Sequence, residues 1–140
     1  MKKKVFTLVE LLAVIAILAI LVIIALPNVL ELYKNARKNA FLDEVQSVYT
    51  AAVNKYMLSQ YGTGTTWPQT FTNTSGTNTL DIQGGTGTFK YCATVDVSGK
   101  VTSLKASNGT FSYTGTNIDQ ASKIQTSGIS ESTTNLSSCS

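Results

Sequence analysis

The chain contains no histidine, and its only two cysteines, Cys92 and Cys139, stand far apart. Without an imidazole there is no His-activated nucleophile, and without clustered Cys and His there is no zinc-ligand spacing. No GxSxG elbow and no glycine-rich phosphate loop occurs either. Charged residues make up only 14% of the chain. The adjacent acids Asp43 and Glu44 fall on what reads as a solvated helix face, and Asp81, Asp96 and Asp119 are scattered, which makes a calcium site on them a remote alternative. These absences leave no catalytic residue, no metal and no cofactor to assign, so the chain is not expected to be an enzyme. A strong net charge is lacking as well. Eleven Lys and Arg stand against eight Asp and Glu, and Lys2, Lys3 and Lys4 supply the whole excess, leaving eight of each sign without them. A balance of that kind gives no footprint for general nucleic-acid binding.

What the chain does have is one long apolar run, from Phe6 to Leu26, behind the three lysines. About 20 residues rising about 1.5 Å each cross the hydrocarbon core of a bilayer. Fifteen of the residues from 6 to 26 are Leu, Ile, Val or Phe. At about −0.3 to −0.6 kcal/mol each they outweigh a penalty of about 3 kcal/mol for a single charge. Glu10 is that charge, so the segment inserts with its acid in place. An ionisable residue inside a span is by default a functional candidate; the plainer alternative is an anchor that tolerates one acid near the interface. The basic flank places the C-terminal residues outside the cytoplasm. A cleaved secretory signal would need a shorter core and a small-x-small site after it, and PNVLELYKNA offers none.

The run FTLVELLAVIAILAILVIIALP resembles the N-terminal segment of type IV pilins and of the pseudopilins of type II secretion. In that family a short basic leader precedes a mature N-terminal Phe, a Glu stands fifth and a Pro twenty-second; Phe6, Glu10 and Pro27 fall at those spacings. The resemblance implies cleavage between Val5 and Phe6 and N-methylation of Phe6 by a prepilin peptidase/methyltransferase. It also implies pairing of the Phe6 amine with Glu10 of a neighbouring subunit, which sets assembly and register. Val5 departs from the family's glycine, and a stiff β-branched side chain there predicts slow cleavage. The implied fold is α+β: a long N-terminal helix, kinked at Pro27, packed on a small antiparallel sheet.

Beyond Pro27 the residues Leu30, Tyr33, Phe41, Val45, Val48, Ala52 and Tyr56 recur at steps of three and four, one face of a helix, widened by Tyr49, Val53 and Met57. The pattern predicts a helix from Phe6 to about Tyr61, stopped by Gly62, with residues from about 40 to 60 packing on a sheet. Thr63 to Thr88 is a Thr/Gly-rich loop anchored by Trp67, Phe71, Leu80 and Ile82. Alternation predicts strands at Phe89–Val97, with Phe89, Tyr91, Ala93, Val95 and Val97 on one face, and at Val101–Ala106 and Thr110–Thr114. The turns are Ser98-Gly99 and Asn108-Gly109. The polar tail after Gly115 is expected to be held mainly by Cys139. In an exported domain the even cysteine pair predicts a Cys92–Cys139 disulfide. The Asn-x-Ser/Thr triplets at Asn73, Asn108 and Asn135 are what chance gives in a Thr/Ser-rich chain.

The organisation expected is therefore a leader (1–5), a transmembrane and filament-core helix (6–27), an amphipathic helix (28–61), and a loop, meander and tail (62–140). The function expected is the structural subunit of a type IV pilus, a homo-oligomeric filament. The precursor would sit in the cytoplasmic membrane, contact lipid and the membrane assembly machinery, and move to the cell surface. A type II secretion pseudopilin is the alternative, with a membrane-anchored binding module more remote. Nucleic acid would be a partner only of a DNA-uptake pilus.

Overall fold

The computed structural model describes residues 3–62, 64–76, 78–84 and 87–139; Lys2 of the leader and Thr63 and Thr86 of the Thr/Gly-rich loop lie outside the described residues. One helix, α1, runs Leu8–Gln60 and continues through Pro27. Five strands follow: β1 (Gln69–Thr72), β2 (Lys90–Val95), β3 (Val101–Ser107), β4 (Phe111–Ile118) and β5 (Ile129–Glu131). They form one antiparallel sheet in sequential order, β1-β2-β3-β4-β5. The chain separates into two compact units, residues 1–37 and 38–140.

In the second unit, α1 buries Phe41, Val45, Val48 and Ala52. Steps of four, three and four bring these side chains onto one stripe. They meet Phe89, Tyr91, Ala93 and Val95 with Val101, Leu104, Ala106 and Phe111 from the sheet, all essentially sealed from solvent. Phe41 anchors the contact, edge-on to Phe89 at 5.9 Å and tilted against Phe111 at 6.0 Å. Full burial of a side chain of this size is worth about 1.5–3 kcal/mol. Gln46 Nε2 adds a hydrogen bond to the Ile124 carbonyl at 3.0 Å.

The far end of α1 is fixed by Tyr56. Its hydroxyl donates to the Val97 carbonyl at 3.0 Å, and its ring lies against Gly99. Gly99 has φ of 84° in the β2–β3 turn, a left-handed conformation that a Cβ disfavours, and a Cβ there would also collide with the Tyr56 ring. Asp96 organises the same turn, its Oδ1 accepting from Ser98 N at 2.8 Å, Ser98 Oγ at 2.6 Å and Lys100 N at 3.0 Å.

The first buried residue of the helix is Phe41, within the expected packing stretch, and Leu30 and Tyr33 ahead of it are 60% and 61% exposed. Several other expectations need correction. Met57 also faces solvent. β2 ends at Val95, so Val97 falls in the turn and is exposed. A bulge between Thr94 and Val95 pairs Val95 with Val101, which keeps both valines in the core. The loop after α1 contains an edge strand, β1, and Phe71 and Leu80 are buried from it.

The tail is tied down by more than its cysteine. Ile124 and Ile129 are buried, β5 pairs with β4, and Asn135 Nδ2 donates to the Thr88 carbonyl at 2.9 Å. Cys92 and Cys139 form the expected disulfide, with Cα atoms 5.5 Å apart. Cys92, Thr72 and Ser107 are buried although the strand alternation points them away from α1. Ser107 Oγ donates to the Thr134 carbonyl at 3.2 Å.

Candidate functional site

In the first unit every large apolar side chain from Val5 to Tyr33 is more than half exposed, from 52% to 85%. The helix holds an 18-residue window of mean hydropathy 3.2 with none of it buried, long and apolar enough to cross a membrane. A soluble helix with one dry stripe would show periodic burial. A surface apolar all round instead calls for lipid or other helices as its surroundings.

Residues 3–7 are not helical. Val5 and Phe6 are 85% and 83% exposed there. The Val5–Phe6 peptide bond therefore lies in an irregular, open stretch, and a peptidase reaching it has no helix to unwind.

Thr7 and Glu10 form a reciprocal pair that the sequence reading missed. Glu10 N donates to Thr7 Oγ1 at 3.3 Å, and Thr7 N donates to Glu10 Oε2 at 2.9 Å. With Thr7 just before the first helical residue and Glu10 three positions later, this is the capping box, which satisfies two of the donors that a helix N-terminus leaves open. The signal was present as Thr-x-x-Glu ahead of an apolar run. Glu10 thus has a role inside its own chain: it closes the start of α1 and places an acid at the positive end of the helix dipole. Its other carboxylate oxygen has no partner among the described residues.

The remaining candidates lie apart from this end. Pro27 stands inside α1, and the Cys92–Cys139 bridge belongs to the second unit. The three acids weighed for calcium do not converge. Asp96 is engaged by its own turn, and its carboxyl is held below the usual range chiefly by the Ser98 hydroxyl. Asp119 is held low first by the Lys123 ammonium and then by that of Lys100, at 2.7 and 3.1 Å. Of the three Asn-x-Ser/Thr triplets, Asn73 and Asn135 spend their amide N–H on the Phe89 and Thr88 carbonyls.

Compared with known protein families, residues 2–26 match the prokaryotic N-terminal methylation motif. Comparison with curated proteins and with solved structures found no match.

Proposed function

We propose that this chain, which carries the prepilin signature of type IV pilins and pseudopilins, is the structural subunit of a type IV pilus at the cell surface. The observation that supports it best is the uncovered apolar arm. From Leu8 to Leu32 the large side chains have no neighbour within the chain to bury them, and the fifteen Leu, Ile, Val and Phe residues between 6 and 26 would each gain from being covered. Lipid covers them in the membrane-anchored precursor, and the arms of other copies cover them in the filament. The role is structural, not catalytic.

In this reading a prepilin peptidase cuts the open Val5–Phe6 bond and frees the Phe6 amine, which is then methylated. The amine is carried into a low-dielectric filament core, where an unpaired charge is costly. Glu10 of a neighbouring copy offers the carboxylate oxygen that its own cap leaves free. The long Thr/Gly-rich segment after α1 and the disulfide-tied tail lean this reading towards a surface pilus over a secretion pseudopilus. Electron microscopy of sheared surface filaments, with mass spectrometry of their subunit, tests the assignment. Filaments made of this chain, starting at methylated Phe6, are the expected result. Their absence from the surface of cells that process the chain would overturn the surface-pilus reading.

A further inference from the structure

We infer that the second unit carries a binding cleft for an acidic saccharide, beside the end of α1. The inference does not rest on the filament assignment. The cleft has a volume of about 450 Å³ and is lined by Lys55, Leu58, Ser59, Trp67, Gln69 and Asn78 among others. That size falls within the usual range for small-ligand sites, about 300–1,000 Å³.

Three features give the cleft its chemistry. The first is a fixed aromatic wall. Trp67 Nε1–H donates to Ser59 Oγ at 3.1 Å, and Ser59 Oγ donates to the Tyr56 carbonyl at 2.6 Å. The indole also packs against Tyr56 at 4.9 Å and Phe71 at 6.1 Å. With its N–H already satisfied, the indole offers carbon surface in one orientation, suited to the C–H face of a pyranose. Leu58, 68% exposed, extends that apolar surface.

The second feature is a pair of oriented amides. Asn78 Nδ2 donates to the Thr70 carbonyl at 2.9 Å and to Gln69 Oε1 at 3.4 Å. These bonds fix both side chains and leave Gln69 Nε2 and Asn78 Oδ1 unpartnered among the described residues. The pair thus keeps one amide donor and one amide acceptor for the hydroxyls of a sugar ring. The third is charge. Lys55 is the cleft's one charged lining residue and makes no ion pair among the described residues. An ammonium with no carboxylate beside it selects an acidic ligand over a neutral one.

Trp67 is the chain's sole tryptophan, so its fluorescence reports the cleft directly. The full chain, purified in a detergent without a sugar headgroup, is titrated with 3′-sialyllactose, with digalacturonic acid, and with lactose as the neutral control. A saturable change in Trp67 emission with at least one acidic probe, and weaker binding of lactose, is expected. Lys55→Ala, at an exposed position where folding should be unaffected, should weaken the acidic probe about tenfold or more while leaving lactose unchanged. Gln69→Ala should weaken both. No saturable response to either acidic probe at about 10 mM, above the Kd of even a weak site, would overturn the inference. So would acidic binding that Lys55→Ala leaves intact, or lactose binding as tight as the acidic probes.

Discussion

Glu10 can be asked which of its two partners matters. The capping box gives it a role within its own chain, whereas the filament reading adds the Phe6 amine of a neighbour. Thr7→Ala removes the hydroxyl that accepts from Glu10 N at 3.3 Å and leaves the carboxylate, costing about 1 kcal/mol of helix start. Glu10→Gln does the opposite: glutamine serves the capping box as well as glutamate, but the charge is gone. A buried ammonium deprived of its counter-ion costs about 3–5 kcal/mol, roughly two to four orders of magnitude in an assembly equilibrium. If pairing governs assembly, Thr7→Ala should yield filaments near the normal amount, and Glu10→Gln and Glu10→Ala should yield almost none. Sheared-filament yield, normalised to membrane-inserted precursor on immunoblots, is the assay. The folding of residues 38–140 should be unchanged in all three, because neither residue belongs to that unit. Normal filament yield from Glu10→Gln would refute the pairing and leave Glu10 a capping residue.

Other consequences are equally direct. Replacing Val5 with glycine should raise the processed fraction, read by intact mass; an unchanged fraction would mean that the leader's last residue does not limit cleavage. Thiol labelling of unreduced protein should find neither Cys92 nor Cys139, and the Cys92→Ser/Cys139→Ser double variant should lose up to about 4 kcal/mol of stability in the chain-entropy account, measured by denaturant unfolding. Phe41→Ala should cost about 3–5 kcal/mol, since it removes the ring that meets Phe89 and Phe111. The carboxyl of Asp119 is held below its ordinary 3.8 by Lys123 and Lys100. Its contribution to stability is therefore complete above about pH 4 and is lost as pH falls through the lowered value. The effect should be small because the pair is exposed; Asp119→Asn should flatten that part of an acid denaturation profile, and an unaltered profile would count against it.

The parts of this fold legible in the sequence were those whose residues repeat with a period. Phe41, Val45, Val48 and Ala52 mark the packed face of α1 because their spacing leaves one stripe apolar, and all four are buried. β2 to β4 were legible from alternation and from the turns at Ser98-Gly99 and Asn108-Gly109. β1 and β5 were not, since each carries one apolar anchor, Phe71 or Ile129, in a polar setting. They exist because β2 and β4 present edges to pair with, and a neighbour's edge cannot be read from local pattern. Leu30 and Tyr33 keep the period of the buried face, but they precede the stretch from about 40 to 60 that the pattern assigns to sheet packing, and both are exposed. At the N-terminal end, Phe6, Glu10 and Pro27 stand out because their spacing resembles that of the pilin N-terminal segment, and the match of residues 2–26 to the methylation motif agrees with that resemblance. Thr7 is legible as well, since Thr-x-x-Glu ahead of an apolar run is the spacing of a capping box.

The bridge between Cys92 and Cys139 also decides how this unit would behave under tension. A load drawn through α1 into the sheet could peel the chain from its N-terminal side, freeing β1 and the loop after it. Beyond Cys92 the covalent link short-circuits the path, because the force passes from one sulfur to the other and bypasses the 47-residue separation between them. At about 3.3–3.6 Å per extended residue, roughly 160 Å of chain is withheld from any extension. Strands β3, β4 and β5 lie inside that protected stretch. An overstretched subunit would therefore yield by a short, bounded distance and keep most of its sheet as a template for refolding once the load is released.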